Sequence, residues 1–272
     1  MNNVTVLINS CDKYNDVVEL NLCAFKEYWP DCSYPIFINT ETIKYNSNIF
    51  NINSINSKVD NWGKRFLYCL NMIESDLVLV VYDDYILEKK IKTDELNNIV
   101  VKMIKNNHIS CYYLKHTDFH IKSDTENDLF FVENSNYYLV NSGPALWRRK
   151  DLISLLNEND DPWTWEFFAM YRKSAKQLKF CSVPNSKENI YEYNHIKGGA
   201  VYRGKWVEEV VVDKIKKYNL NFDLSLRGII KFHEPIKRSL KWKINFFING
   251  YKMVGFRSFN LFIYLFKEKF IR

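Results

Sequence analysis

Asp76-Leu-Val-Leu-Val-Val-Tyr-Asp-Asp-Tyr85 is the stretch from which the rest of the chain is read. Leu77 to Tyr82 is an unbroken apolar run rich in Val and Leu, and it stops on two adjacent carboxylates, Asp83 and Asp84. A run without alternation suits a strand buried on both faces, as in a parallel sheet covered by helices. Ligands of open α/β sheets bind in the crevice beyond the carboxyl ends of such strands. Two carboxylates there repel each other and lose hydration unless solvent, a cation or a positive side chain compensates. A divalent ion carrying a phosphorylated ligand meets that demand; a strand ending in a solvated acidic turn is the simpler alternative.

Working outward, Val4-Thr-Val-Leu-Ile8 reads as the first strand, leading into the polar turn Asn9-Ser10-Cys11-Asp12-Lys13-Tyr14. Such a turn at a strand's carboxyl end is placed to hold a nucleoside. Val17, Leu20, Cys23 and Ala24 recur at helical spacing, Pro30 closes the helix, and Tyr34 to Asn39 is a second strand. The opening is therefore β-α-β with a crossover long enough for parallel pairing. Asn46 to Asn56 predicts a loop with a short third strand. Asp60 or Asn61 caps a helix through Ile73 with Phe66, Leu67, Leu70 and Ile73 inward. Its first turns carry Lys64 and Arg65, read either as a solvated helix face or as cations reaching a ligand's phosphates or base.

Beyond the acid pair, Thr93 is expected to cap a helix to about Asn106, with Leu96, Val100, Met103 and Ile104 facing inward, and His108 to Leu114 is a strand. Lys115 to Ser135 reads as a polar irregular loop, including Asp118; a long loop in a compact domain is usually functional or mobile. Its His116 and His120 read as solvated rather than as metal ligands. Tyr137 to Asn141 is expected to be a strand, followed by the Ser142-Gly-Pro144 turn, and Ala145-Leu-Trp147 to lead into a helix over Lys150 to Asn157. Asp161-Pro162 predicts an N-cap and first helical position, opening a helix to about Leu178. Glu166 falls early in that helix between Trp165 and Phe167. It is either a residue favoured by the helix dipole or a carboxylate made more basic by apolar surroundings and suited to take a proton. The stretch 194–205 gathers Gly198, Gly199 and Gly204 with Lys197, Arg203 and Lys205. Glycines permit close backbone approach and the cations suit a diphosphate. His195 there is either simply hydrogen-bonded or a metal ligand through a neutral ring nitrogen.

Aromatic residues are abundant (19 Phe, 18 Tyr, 7 Trp) and Gly and Pro scarce, which marks a globular chain of one large α/β domain or two lobes sharing a core. Six scattered cysteines without a Cys-x-x-Cys pair read as reduced thiols. The N-terminus lacks a basic leader and a small-residue cleavage site, so no secretory signal is expected. The net charge of +6 is uneven: residues 237–272 hold nine Lys or Arg against Glu268, a local +8, leaving −2 for the other 236 residues. That distribution argues against nucleic-acid binding. Leu240, Ile244, Phe247, Tyr251 and Val254 recur at helical spacing in this basic tail, and the apolar run Phe259–Phe266 is shorter than the ~20 residues a spanning helix needs. The tail reads as a basic amphipathic segment lying at the membrane interface, or as a helix packed on the body with lysines outward.

Taken together, residues 1 to 210 resemble the GT-A class of nucleotide-sugar glycosyltransferases, especially bacterial enzymes that build surface polysaccharide such as O-antigen or capsule. The resemblance rests on the β-α-β opening through Asp12, Tyr82-Asp-Asp-Tyr85, Ser142-Gly-Pro-Ala-Leu-Trp147, Trp165-Glu166, and His195 with its Gly/basic loop. It implies a GT-A-like, Rossmann-like, mostly parallel central sheet flanked by helices, with a C-terminal helical extension. Residues 1–90 would form the donor-binding half, 91–236 the acceptor-binding half of the same domain, and 237–272 the basic amphipathic segment. It further implies Ser10, Asp12, Lys64, Arg65, Asp83, Asp84 and Arg203 on the donor, and Asp83, Asp84 and His195 as ligands of Mn²⁺ or Mg²⁺. Glu166 would be the general base of an inverting transfer to a glycan or polyprenyl-linked glycan, by a cytoplasmic protein held peripherally at the inner leaflet of the cytoplasmic membrane. The family's acidic motif spaces its aspartates at i and i+2, whereas Asp83 and Asp84 are adjacent with Tyr on either side. Two alternatives are a sugar nucleotidyltransferase, against which the absence of a Gly-rich phosphate loop after the first strand counts, and a non-catalytic membrane-associated carbohydrate-binding protein.

Overall fold

The apolar run Leu77–Tyr82 is a strand because both of its faces are covered. In a computed structural model of the chain, which describes residues 3–46, 50–117, 119–133, 138–235, 237–261 and 263–264, Leu77, Leu79 and Val81 pack into one hydrophobic cluster and Val78 and Val80 into another. The chain order begins β1 (Val4–Asn9), α1 (Asn15–Tyr28), β2 (Ile36–Thr40), β3 (Ile52–Asn56), α2 (Trp62–Met72) and β4 (Leu77–Tyr82). It continues with α3 (Thr93–Lys105), β5 (Ile109–Tyr113), β6 (Ile121–Asp124), β7 (Leu129–Val132), β8 (Ala145–Arg148), α4 (Arg149–Ser154), α5 (Pro162–Phe168) and β9 (Lys179–Ser182). The remainder is β10 (Val201–Tyr202), β11 (Lys205–Val207), α6 (Glu208–Lys217), α7 (Leu224–Arg227), β12 (Ile229–Ile230) and α8 (Leu240–Val254).

Nine strands form one sheet in the order β3-β2-β1-β4-β8-β5-β9-β7-β6, and β10-β11-β12 form a small second sheet. The strands β1 to β4 pair in parallel, as the β-α-β opening requires, and β5 pairs in parallel with β9. Only β7 and β8 run against the rest; β8 is inserted antiparallel between β4 and β5. Side chains of α1, α3 and α6 fill one face (Val17, Leu96, Val210), and those of α2, α4 and α5 fill the other (Phe66, Leu152, Trp165). The mixed α/β architecture with helices on both sides of a central sheet is thus the one expected, and one continuous sheet carries both halves of the chain.

Several local expectations differ. Ala145-Leu-Trp147 is itself a strand, since all four residues of β8 are buried between neighbours, and the helix that follows starts at Arg149, as expected within a residue, but ends at Ser154, short of Asn157. The helix after Asp161 stops at Phe168 and gives way to short 3-10 turns; between them Arg172 is extended, its guanidinium turned back to Asp160 at 2.6 Å. The stretch 115–133 holds the β6–β7 hairpin, turning through Asp128 with positive φ; Asp118 lies outside the described residues. Residues 138–141 form no strand, and Tyr137 lies outside the described residues. Lys92, not Thr93, occupies the N-cap of α3, and Ile99 replaces Ile104 on its buried face. The Asn61 and Asp161 caps form as the sequence suggests, each side chain accepting a backbone N–H at 3.0 Å.

Candidate active site

A cavity of about 570 Å³ opens at the carboxyl end of β4. It forms there because β1 and β4 end side by side, the turn into β8 arrives at the same edge, and α5 and the loop 195–204 close the other walls. Ser10, Arg65, Asp83, Asp84, Glu166, His195 and Arg203 all line it, so residues separated by up to 193 positions meet in one hollow. Asp12 and Lys64 do not line it. Asp12 is occupied by the Thr42 hydroxyl and the backbone N–H groups of Glu41 and Thr42 (both 3.0 Å) and Ile43 (3.2 Å), which tie the ends of β1 and β2 together and, against the opposing effect of burial, hold its carboxyl below the ordinary range, the Thr42 hydroxyl most. Lys64 is exposed and reaches Glu158 at 3.9 Å.

Asp83 is buried and Asp84 half-buried, and neither has a counter-charge in contact. Asp83 accepts a hydrogen bond from the Ser10 hydroxyl, and its backbone carbonyl accepts one from Asn21 Nδ2 at 3.0 Å. Among the described residues neither Asp83, Asp84 nor Glu166 belongs to an ion pair. The cation that most favours ionised Asp83 is Arg227, itself bonded to Asp16. Burial pushes the Asp83 carboxyl up from 3.8 to about 7. Asp84 is pushed well above the ordinary carboxylate range by burial first, then by the charges of Asp83 and Glu166. The same field and burial raise Cys11 to about 11 and Tyr14 to about 12, which keeps both neutral near pH 7.

The Gly/basic stretch is pressed against this pair. Ala200 N–H donates to the Asp84 carbonyl at 2.8 Å, and a Cβ on Gly199 would meet that carbonyl at the same 2.8 Å. Only glycine permits this approach, and Gly199 also has φ +152. The stretch then forms the β10–β11 hairpin rather than an open loop. At its turn, Arg203 lies over the Tyr202 ring (4.8 Å) with positive φ, and its Nε and Nη1 are buried without an acceptor. Four further lining residues carry unpartnered buried donors: Asn9 through Nδ2, Trp62 through Nε1, Arg65 through Nε and Tyr82 through its hydroxyl. The Arg65 Nη1 is committed to Glu41, Val59 O (3.3 Å) and Asp60 O (3.1 Å). The hollow thus presents acids on its floor and idle N–H donors on its walls.

Glu166 is buried, and its Oε1 accepts from Ser142 N–H at 2.8 Å and from the Ser142 hydroxyl. The Tyr85 hydroxyl lies 2.8 Å from Ser142 Oγ, linking the end of β4 to the carboxylate on α5. Burial raises the Glu166 pKa, against the opposing pull of hydrogen bonds from Ser142 and Tyr138. A carboxylate fixed in this way and titrating nearer neutrality is equipped to accept a proton. Ser142, quoted in the sequence only as part of a motif and a turn, and Tyr138, given no role there, are the residues that hold Glu166. The Ser142-Gly-Pro144 turn marked a chain reversal, and nothing in its pattern announced a partner 24 residues away. His195 stands exposed at the rim, edge-on to Tyr193 (6.4 Å). Among the described residues no group of three or more His, Cys, Asp or Glu is assembled to hold a metal.

The oxygen-only floor fits a hard divalent ion. Mg²⁺ in particular is commonly held by one or two carboxylates, with waters and substrate phosphates completing the shell. The unpartnered donors opposite suit the phosphates themselves.

No protein-family model and no curated protein matches the sequence. Among solved structures, S. aureus TarS 1–349 superposes with a TM-score of 0.52 over 95% of this chain and 83% of that one, at 12% identity. Its complex with UDP gives 0.51 over the same shares, again at 12% identity. A cytidylyltransferase from Leptospira borgpetersenii covers 68% of this chain and 77% of that one at a TM-score of 0.41 and 12% identity. The TarS likeness identifies the fold of this chain as the Rossmann-like mixed α/β architecture of the GT-A type.

Proposed function

We propose that the chain is a nucleotide-sugar-dependent glycosyltransferase acting on a glycan or polyprenyl-linked glycan of the bacterial surface. One observation carries the proposal: two adjacent carboxylates without an ion-pair partner, Asp83 buried and Asp84 half-buried, share a cavity at the end of the central strand with a clamped Glu166 and the idle guanidinium nitrogens of Arg203. Acids that bind a cation and donors that bind phosphate are what a nucleoside diphosphate demands, and Glu166 supplies the base an acceptor hydroxyl needs. The fold supports the reading, since S. aureus TarS, which shares it, forms a complex with UDP.

In this reading the donor's nucleoside lies over Ser10 and the end of β1, and Arg203 and Arg65 face its phosphates. Asp83 and Asp84 would hold Mn²⁺ or Mg²⁺, and His195, exposed at the rim, is not assembled with them as a third ligand; the ion would offset charge on the departing diphosphate. Glu166, oriented by Ser142 and Tyr138, takes the proton of the attacking hydroxyl. Displacement from the opposite face of the sugar gives inversion.

The test is turnover of nucleotide sugars by wild type and Glu166→Gln, with donor affinity followed separately. The variant keeps the shape and donor affinity of the site and loses about 10²–10⁴ in kcat. Undiminished turnover in Glu166→Gln would sink the assignment. Pyrophosphate released from a sugar phosphate and a nucleoside triphosphate would instead identify a nucleotidyltransferase.

A further inference from the structure

The C-terminal helix α8 has two apolar faces, and the body covers only one. On the first, Trp242, Phe246 and Gly250 follow one another at intervals of four. Phe246 packs on Phe167 (5.5 Å) and Phe168 (5.2 Å), and a Cβ on Gly250 would strike the Phe168 ring at 2.4 Å. Asn249 Nδ2 donates to Asp161 at 3.3 Å, and beyond the helix Arg257 donates to Tyr171 O at 3.1 Å. The helix is therefore docked and held. On the far side, Leu240, Ile244, Ile248 and Tyr251 recur at intervals of 4, 4 and 3, and Phe256 and Phe259 extend the patch. Each is between 46% and 79% exposed. Tyr251, Phe256 and Phe259 touch in series at 5.6 and 6.3 Å, so the patch is continuous.

A helix whose only role was to cover the body would turn its polar side outward. Here Lys241 and Lys252 border the outward stripe on one side and Lys243 borders it on the other. Residues 237–264 contain six Lys or Arg and no Asp or Glu. A bulky apolar stripe edged by cations, with no acid among them, is complementary to a surface having an apolar interior and negative headgroups. A second copy of the chain would bring the same cations against themselves. No described helix is long and apolar enough to cross a membrane.

We infer that the outward face of α8, continued by Phe256 and Phe259, seats the protein on an anionic phospholipid bilayer with the helix lying in the headgroup layer. The seat is adjacent to the cavity. Arg238, just before the helix, stacks on Trp242 (3.9 Å) and on Trp163 (4.5 Å), which lines the cavity mouth. A hydroxyl carried on a lipid-anchored chain would thus be presented where Glu166 waits. The docking itself stands independently of the transfer reaction.

Co-sedimentation with phosphatidylcholine vesicles, with and without phosphatidylglycerol, tests this without any turnover. The full chain partitions onto the anionic vesicles and is released by salt. Lys241→Gln with Lys252→Gln weakens partition about 30-fold, at ~1 kcal/mol per cation. Ile244→Ser with Phe256→Ser loses partition while retaining wild-type thermal unfolding. Equal partition onto both vesicle types, recovery in the supernatant with both, or sedimentation that survives the Ile244/Phe256 substitutions overturns the inference. So does a dimer by light scattering that those substitutions dissociate, since the stripe would then belong to a second copy.

Discussion

Replacing Asp83 with Asn exchanges function for stability in a pH-dependent way that can be worked out beforehand. The buried carboxyl is held at about 7 against 3.8 in the ordinary state. At 1.36 kcal/mol per tenfold change, ionising it in the folded protein costs at most about 4 kcal/mol. The sign follows from proton binding. The folded chain retains the proton more tightly than the unfolded one, so stability is greatest below pH 4, falls as pH rises, and levels off above about 7. Asn cannot ionise, and the bond from Asn21 goes to the backbone carbonyl of position 83, so it survives the exchange. Asp83→Asn should match wild type near pH 3 and exceed it at pH 8.5, where the urea midpoint rises by up to ~1 M. Mn²⁺ with UDP should raise the wild-type midpoint at pH 8.5 and leave the variant unmoved, because binding requires the ionised pair. A variant less stable than wild type at pH 8.5 would refute the view that the pair is held unneutralised for a ligand.

The remaining expectations concern the walls of the cavity and the seat of α8. Arg203→Ala removes two idle buried donors and should weaken UDP binding by about 10- to 100-fold in calorimetry, in keeping with ~1.5–3 kcal/mol for a charge-assisted bond. Ser142→Ala takes the hydroxyl donor from Glu166, so the acidic limb of the kcat/KM profile moves to higher pH; an unmoved limb separates Glu166 from that ionisation. Gly250→Ala forces a methyl against Phe168 and should lower stability by about 1–3 kcal/mol in denaturant unfolding, without altering UDP affinity. Nucleotide affinity in the presence of Mn²⁺ should rise as pH climbs through 7 with the ionisation of Asp83 and go on rising until Asp84 ionises too.

The strand-and-acid reading of residues 76–85 located the centre of the sheet because burial on both faces leaves a local mark, an apolar run without alternation. The caps at Asn61 and Asp161 were legible for the same reason: their partners lie three residues on. The strand Ala145–Arg148 was not legible. Four residues carry too little periodicity, and its place between β4 and β5 is decided by registers with residues 77–80 and 111–113. Glu166 was legible as a carboxylate among aromatics, but its clamp on Ser142 depends on tertiary placement. The cations divided likewise. Lys64 and Arg203 look alike in sequence, and only the fold turns one to solvent and the other to the cavity. On α8, periodicity found the stripe through Leu240, Ile244 and Tyr251, while the packed stripe through Trp242, Phe246 and Gly250 required knowing where Phe168 lies.

The inserted strand β8 also limits how the chain can be divided. Were the polypeptide to end near residue 90, β4 would lose the partner along one side, and a flat row of Val and Leu would be left with open backbone groups. Such an edge recruits other chains. The nucleotide-side segment therefore should not survive as an isolated fragment, and ribosomal synthesis must deliver residues 145–148 before the innermost strand is sealed. Circular permutants that keep β4 and β8 on one piece should refold from denaturant, whereas fragments that separate them should aggregate.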